Sequence, residues 1–150
     1  MERTLVLVKP DGVQRGLVGD VVSRFEGTGL KLVAMRMLQM DRAMAERHYA
    51  VHRGKPFFEG LVDFITASPL VAAVFEGPRA VAVVRKLMGD TDPARAAPGT
   101  IRGDLGLAVR YNVVHGSDSV ENAVQEINLF FRAEELLSYE RQVERWITEC

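Results

Sequence analysis

Four short β-branched and apolar runs alternate with helix-period stripes, and that alternation leaves few topologies open. Thr4 to Val8 is the first run, stopped by Pro10-Asp11-Gly12. Leu30 to Met40 is the second; Arg36 within it marks an edge or a solvent-facing side. Leu70 to Phe75 is apolar throughout, the pattern of a central strand, and Glu76-Gly77-Pro78 ends it. The fourth runs to about His115. Between them, Val18 to Glu26 sets Val18, Val21, Val22 and Phe25 on one helical face before Gly27 and Gly29. Ala43 to Val51 and Phe57 to Thr66 read as a helical pair. Arg79 to Met88 turns Val81, Val84 and Met88 inward and leaves Arg85 at the stripe's margin. After Ser119, one face carries Val120, Ala123, Val124, Ile127 and Phe131. Glu134 to Tyr139 reads as a short helical tail, with Trp146 docking the C-terminus. From Gly89 to about Gly106 the periodicity disappears, and so long a connection in a compact domain is usually functional. Two split βαβ units of this kind suggest an α/β sandwich of ferredoxin-like type, βαββαβ, with a four-stranded sheet covered by helices.

At 150 residues the default is one domain, 1–150. The formal charge of −1, from 19 basic and 20 acidic residues, argues against a protein built around nucleic acid or an anionic membrane. The single cysteine, Cys150, can form no intrachain disulfide, so the cytoplasm is the natural compartment and the thiol is incidental. Met1-Glu2-Arg3 leads into too short an apolar run for a secretory signal, and no run approaches the ~20 residues of a membrane span.

The chemistry concentrates where the fourth run ends. Gly116 lets the chain turn sharply, and Ser117, Asp118 and Ser119 offer oxygens to cap the next helix. His115 therefore sits beside helix N–H groups, a setting that suits a phosphate. Imidazole is a good nucleophile near neutral pH because its reference pKa is about 6.5. No Gly-x-x-x-x-Gly-Lys-Ser/Thr loop is present, and no Gly-x-Gly-x-x-Gly follows a strand, so any phosphate is held by side chains. Glu126, on the inner side of the last long helix, can accept the proton-bearing nitrogen of His115. Lys9 ends the first strand, where open sheets place ligand groups; by position alone it is a solvated lysine. His48 and His52 are four apart, but the zinc-protease pattern needs Glu after the first histidine and Tyr49 stands there, so both read as surface histidines. By spacing alone Phe57 and Phe58 belong to the core.

The block Asn112-Val113-Val114-His115-Gly116-Ser117-Asp118-Ser119 resembles the active-site signature of nucleoside diphosphate kinases. Lys9-Pro10-Asp11-Gly12-Val13-Gln14-Arg15-Gly16 is similar to that family's N-terminal motif. His48-Tyr49, Pro56-Phe57-Phe58 and Pro98-Gly99-Thr100-Ile101-Arg102-Gly103-Asp104 follow in the family's order and spacing over nearly the whole chain. The resemblance implies an antiparallel sheet and a ping-pong transfer of the γ-phosphoryl of a nucleoside triphosphate to a diphosphate through His115. It implies that Glu126 and Ser117 orient His115. It implies that Lys9, Tyr49, Arg85, Thr91, Arg102 and Asn112 line the phosphates and sugar, and that Phe57 stacks on the base. Mg2+ would arrive with the nucleotide, since the chain shows no dedicated carboxylate cage. A homo-oligomer is implied, a dimer-based tetramer or hexamer, with Leu30 to Met40 paired across a two-fold axis. Asp92 departs from a common Asn, and Tyr111 from a common basic residue; neither position carries the chemistry. The rival reading is a non-catalytic ferredoxin-like nucleotide-binding or regulatory module, which would lack some of Lys9, Arg85, Arg102 and His115; all are present.

Overall fold

The structure, a computed structural model, describes residues 1–149; Cys150 lies outside the described residues. The chain runs β1 (Glu2–Val8), α1 (Pro10–Gln14), α2 (Val18–Gly27), β2 (Lys31–Leu38), α3 (Arg42–His48), α4 (Phe58–Thr66), β3 (Leu70–Gly77), α5 (Ala80–Met88), α6 (Ile101–Leu105), β4 (Val114–Gly116) and α7 (Val120–Phe130). The four strands form one sheet in the order β2-β3-β1-β4, with every neighbouring pair antiparallel. This is the ferredoxin-like arrangement expected from the alternation of elements.

The central strands are apolar on both faces because the sheet is covered on both faces. Successive side chains of a strand point to opposite sides. Leu5 and Leu7 of β1, with Leu70, Ala72 and Val74 of β3, meet Val62, Ile65, Ile127 and Phe130 from α4 and α7. Val6, Val8, Val71, Ala73 and Phe75 meet Phe25, Val84 and Met88 from α2 and α5. Each large side chain buried in this way contributes about 1.5–3 kcal/mol. At the edge, β2 keeps Met35 and Met37 half or more exposed, as its mixed pattern suggested. Arg36 also faces outward there and donates from Nη1 to the Phe130 carbonyl at 2.9 Å.

Several expectations need correcting. The Gly89–Gly106 segment holds a short helix, α6, whose N-terminus is capped by the Thr100 hydroxyl accepting the Gly103 N–H. A helix this brief has too few turns to show a periodic stripe. On α7 the buried face is Ala123, Ile127 and Phe130; Val120 and Val124 are exposed. The Ala43–Val51 helix ends at His48, and a separate 3-10 turn covers Ala50–His52. The Glu134–Tyr139 tail has only a 3-10 turn at its start, Ala133–Glu135. Trp146 is 78% exposed and does not dock the tail. That work falls to Arg141, which donates to the Gly29 carbonyl at 2.9 Å, and to Tyr139, whose hydroxyl bonds the Leu32 carbonyl. No helix among the described residues is long and apolar enough to cross a membrane.

Candidate active site

β4 lies against the end of β1, with His115 opposite Leu7. α7 then runs back along the sheet and carries Glu126 to the imidazole. The Glu126 carboxylate lies 3.1 and 3.2 Å from His115 Nε2. A carboxylate only accepts, so Nε2 bears the proton and Nδ1 keeps its lone pair. Ser117 is fully buried behind this pair. Its hydroxyl donates to Glu126 Oε1 at 2.5 Å, and its oxygen takes the Leu5 N–H at 3.4 Å. Burial would raise the Glu126 carboxyl, but hydrogen bonds from His115 and Ser117 and the attraction of His115 outweigh it and hold the group below the usual carboxylate range. Ser119 alone caps α7, accepting the Asn122 N–H at 3.0 Å; Asp118 instead takes the Asn122 side-chain amide at 2.5 Å.

The approach to His115 is strained and pinned. Val113 is buried at φ 74°, a left-handed conformation that a β-branched residue rarely adopts. Its N–H donates to Asp11 Oδ2 at 3.0 Å, and its carbonyl accepts from the Lys9 N–H at 2.9 Å. The Val114 N–H returns to the Asn112 carbonyl at 2.8 Å, closing a three-residue turn. Gly116 serves another purpose than the sharp turn expected of it, for it is not at positive φ. A Cβ there would lie 2.5 Å from the Met88 sulfur and 3.0 Å from Val84 Cγ1, so glycine is what lets β4 approach α5.

Three cations stand around the same strand. Arg102 is buried and tethered by backbone: Nε donates to Asn112 O at 3.3 Å, Nη1 to Gly89 O at 3.3 Å and Nη2 to Val114 O at 2.8 Å. A guanidinium has further N–H groups free for a ligand. Burial, reinforced by Arg85, lowers its pKa to about 10, so it stays charged at neutral pH. Arg85 donates to the Gly116 carbonyl at 3.1 Å. The Lys9 ammonium bonds the Asn112 side-chain oxygen, and the Asn112 amide donates to the Thr91 carbonyl at 3.0 Å. Burial lowers Lys9 to about 8, with Asp11 opposing and Arg102 adding to the shift. Burial, and then Glu126, raise Tyr49 to about 12, which keeps its hydroxyl neutral.

Tyr49, Arg85, Thr91, Arg102, His115 and Glu126 line one cavity of about 380 Å³. Lys9 and Asn112 join it through Thr91, and Ser117 lies beneath. Phe57 stands apart. It is half exposed, with its ring 5.2 Å from that of His52, which lines the cavity. Phe58 is the core residue of that pair. Asp92 closes a local turn by accepting the Ala94 N–H at 3.0 Å, and Tyr111 packs on Phe64 at 5.4 Å.

His48 is the residue that sequence reasoning placed wrongly. Because α3 ends at His48, its ring turns inward instead of sharing a helical face with His52. It lies 4.6 Å from the Tyr49 ring, 5.0 Å from His115 and 5.7 Å from Phe130, and it lines the cavity. Burial, and then the neighbouring His115, push its pKa down to about 3, so it is neutral. Its place beside Tyr49 in a recognised motif was the available signal.

The profile of the nucleoside diphosphate kinase family matches residues 2–136. The nucleoside diphosphate kinase of Thermomicrobium roseum is 62% identical over 147 residues, covering 98% of this chain and 99% of the relative. That of Archaeoglobus fulgidus is 62% identical over 149 residues, covering 99% of each. Among solved structures, a halophilic nucleoside diphosphate kinase from Halobacterium salinarum in complex with CDP superposes with a TM-score of 0.96 at 51% identity, covering 99% of both chains. With its fold, its motifs and its full length shared in this way, the chain belongs to the nucleoside diphosphate kinase family.

Proposed function

We propose that the chain is one cytoplasmic domain that moves the γ-phosphoryl of a nucleoside triphosphate through His115 to a second nucleoside diphosphate. Nδ1 of His115 attacks the γ-phosphorus in line. The N–P bond forms as the bond to the β,γ-bridging oxygen breaks, and that oxygen leaves with its electron pair on the diphosphate. Glu126 keeps the Nε2 proton in place throughout, with Ser117 fixing the carboxylate. In the second half the incoming diphosphate oxygen attacks the same phosphorus, and Nδ1 leaves. One site serves both halves, which gives ping-pong kinetics. The observation that carries the reading is the His115–Glu126–Ser117 chain at one end of a cavity also lined by Arg85 and Arg102.

Phosphoryl transfer asks little of a protein beyond position and positive charge over the equatorial oxygens. Arg85 and Arg102 supply rigid forks, and Lys9 a point charge that can follow the migrating group. Tyr49, Thr91 and Asn112 add neutral contacts to phosphate and sugar, and Phe57 offers a face to the base. The substrates are nucleotides; the divalent ion is proposed to be Mg2+ carried on their phosphates. Among the described residues the one group of three metal-ligating side chains is rich in nitrogen, unlike the oxygen cage that Mg2+ prefers. When bound, Mg2+ neutralises charge on the phosphates. The exposed methionines of β2 support assembly through that edge into a dimer-based tetramer or hexamer.

Brief exposure to Mg-ATP followed by mass spectrometry tests the reading. One phosphoryl should appear on His115, labile to acid and stable to alkali as a phosphoramidate is. A chain that transfers phosphate with no modified His115 would overturn it.

A further inference from the structure

His48 has no role in the mechanism above, yet it is turned into the cavity. Both of its ring nitrogens are buried, and neither has a hydrogen-bond partner among the described residues. An unpaired buried polar group is costly and calls for a physical explanation. One ligand atom each from His48, His115 and Glu126 lie within 4.8 Å of one another. From these observations we infer that the three residues form a binding site for a borderline divalent transition metal, with Zn2+ the best fit.

The donor set decides the metal. Two imidazoles and one carboxylate are a set that zinc uses with three protein ligands and an open fourth position. Such a set favours zinc over Mg2+, which prefers oxygen in an octahedron. Tetrahedral bonds of about 2.1 Å would separate the ligand atoms by about 3.4 Å. The Glu126 oxygen is already 3.1 Å from His115 Nε2, so the main adjustment is a closing of the His48 ring. The outer contacts suit a metal site as well, because Ser117 holds the carboxylate from behind. On binding, Zn2+ takes the Nε2 lone pair of the neutral ring, and the proton that Nε2 shared with Glu126 moves to Nδ1, so the imidazole changes tautomer with no net loss of a proton.

The metal and the phosphoryl group then compete for one ring. Zinc on Nε2 leaves the ring proton on Nδ1 and so removes the lone pair that attacks phosphorus. A phosphoryl on Nδ1 leaves the proton on Nε2, held by Glu126, and so blocks that nitrogen as a ligand. The antagonism is reciprocal by linkage. The site stands on geometry alone, whereas the antagonism rests on the proposed role of His115.

Calorimetric titration of chelator-stripped protein with Zn2+ tests the site. One zinc should bind per chain. His48→Ala should weaken binding by at least about tenfold, as even outer-shell losses at metal sites do. His48→Phe keeps an aromatic ring in the packing and removes both nitrogens; it should behave the same way if the alanine variant does not fold. His52→Ala and Cys150→Ser should leave the affinity unchanged. Protein first phosphorylated with Mg-ATP should bind zinc more weakly than the free enzyme. Absence of binding at micromolar zinc, parent-like binding by folded His48 variants, or loss with His52→Ala or Cys150→Ser would each overturn the site. Zinc bound through His48 in a chain that forms no phosphohistidine would defeat the functional reading and leave the site. Phosphohistidine without zinc binding would do the reverse, and equal zinc affinity before and after phosphorylation would defeat the antagonism.

Discussion

At the inner end of the cavity, Glu126 takes hydrogen bonds from both His115 and Ser117, and Ser117 is fully buried. At the outer side, Phe57 keeps half of its surface exposed, with the His52 ring 5.2 Å away and the Lys55 ammonium 5.8 Å from its centroid. The inner end is over-determined: strained Val113 is pinned from both sides, and Arg102 is tied to three carbonyls. Position and charge are thus set before any nucleotide arrives, which is where phosphoryl transfer gains most. In the proposed reaction the outer side would meet what all nucleotides share, a planar base, and rigidity there would add selectivity the reaction does not need.

That contrast is broken most directly at the proposed nucleophile. His115→Ala should reduce turnover to below about 10⁻⁴ of the parent, as loss of a catalytic nucleophile does elsewhere. Steady-state transfer by rigorously purified variant is the measurement, and appreciable turnover would place the chemistry on another residue. The arginines should come next. Arg85→Ala and Arg102→Ala should each slow phosphorylation of His115 by about a hundredfold, near 3 kcal/mol. Arg102→Ala should also lower the melting temperature more than Arg85→Ala, because it breaks three hydrogen bonds to backbone carbonyls and not one. Equal melting temperatures would show that the tether is not structural.

Lys9 gives the inner end a pH dependence. Its pKa is lowered to about 8, chiefly by burial, so the cation is present below that value and lost as pH rises through it. The kcat/KM profile reports the free enzyme and should fall on the alkaline side of about 8. Lys9→Ala should remove that limb, leaving lower activity without it. A parent profile flat well past this pH would assign the ammonium no role. Ser117→Ala, which removes one hydrogen bond to Glu126, should cost about tenfold in kcat, or roughly 1–1.5 kcal/mol. The smallest effect belongs to the outer side. Phe57→Ala should raise KM for every base by about fivefold to tenfold with kcat little changed, the low end of stacking energies for a half-exposed ring. Comparing ADP, GDP, CDP, UDP and TDP checks this; a loss confined to one base would reveal a base-reading contact.

Much of the fold was legible because it is written in local patterns. β3 read as central from its unbroken apolar run, and β2 as an edge from Arg36, since burial on both faces or on one leaves a trace in every residue of a strand. α6 and the exposed Val120 and Val124 were not legible. Five residues cannot display a period, and an apolar residue one step off a stripe looks the same in the sequence as one on it.

The sequence by itself determined the order of the strands and long helices and the motifs around Lys9, Arg102 and His115, because each lies in a short segment whose pattern is diagnostic; Glu126 and Arg85 came from the family resemblance. Only the tertiary structure decided what those residues touch. Ser117 turned from the helix cap to Glu126, and Arg102 became bound to backbone from Gly89, Asn112 and Val114. Gly116 proved to be a packing requirement set by Met88 and Val84. His48 moved from the surface into the site because α3 stops one residue before Tyr49 and directs the ring toward His115 and Phe130. The physical reason is range: periodicity records which side of an element meets the core, whereas hydrogen-bond partners far apart in the chain exist only once the sheet has brought them together.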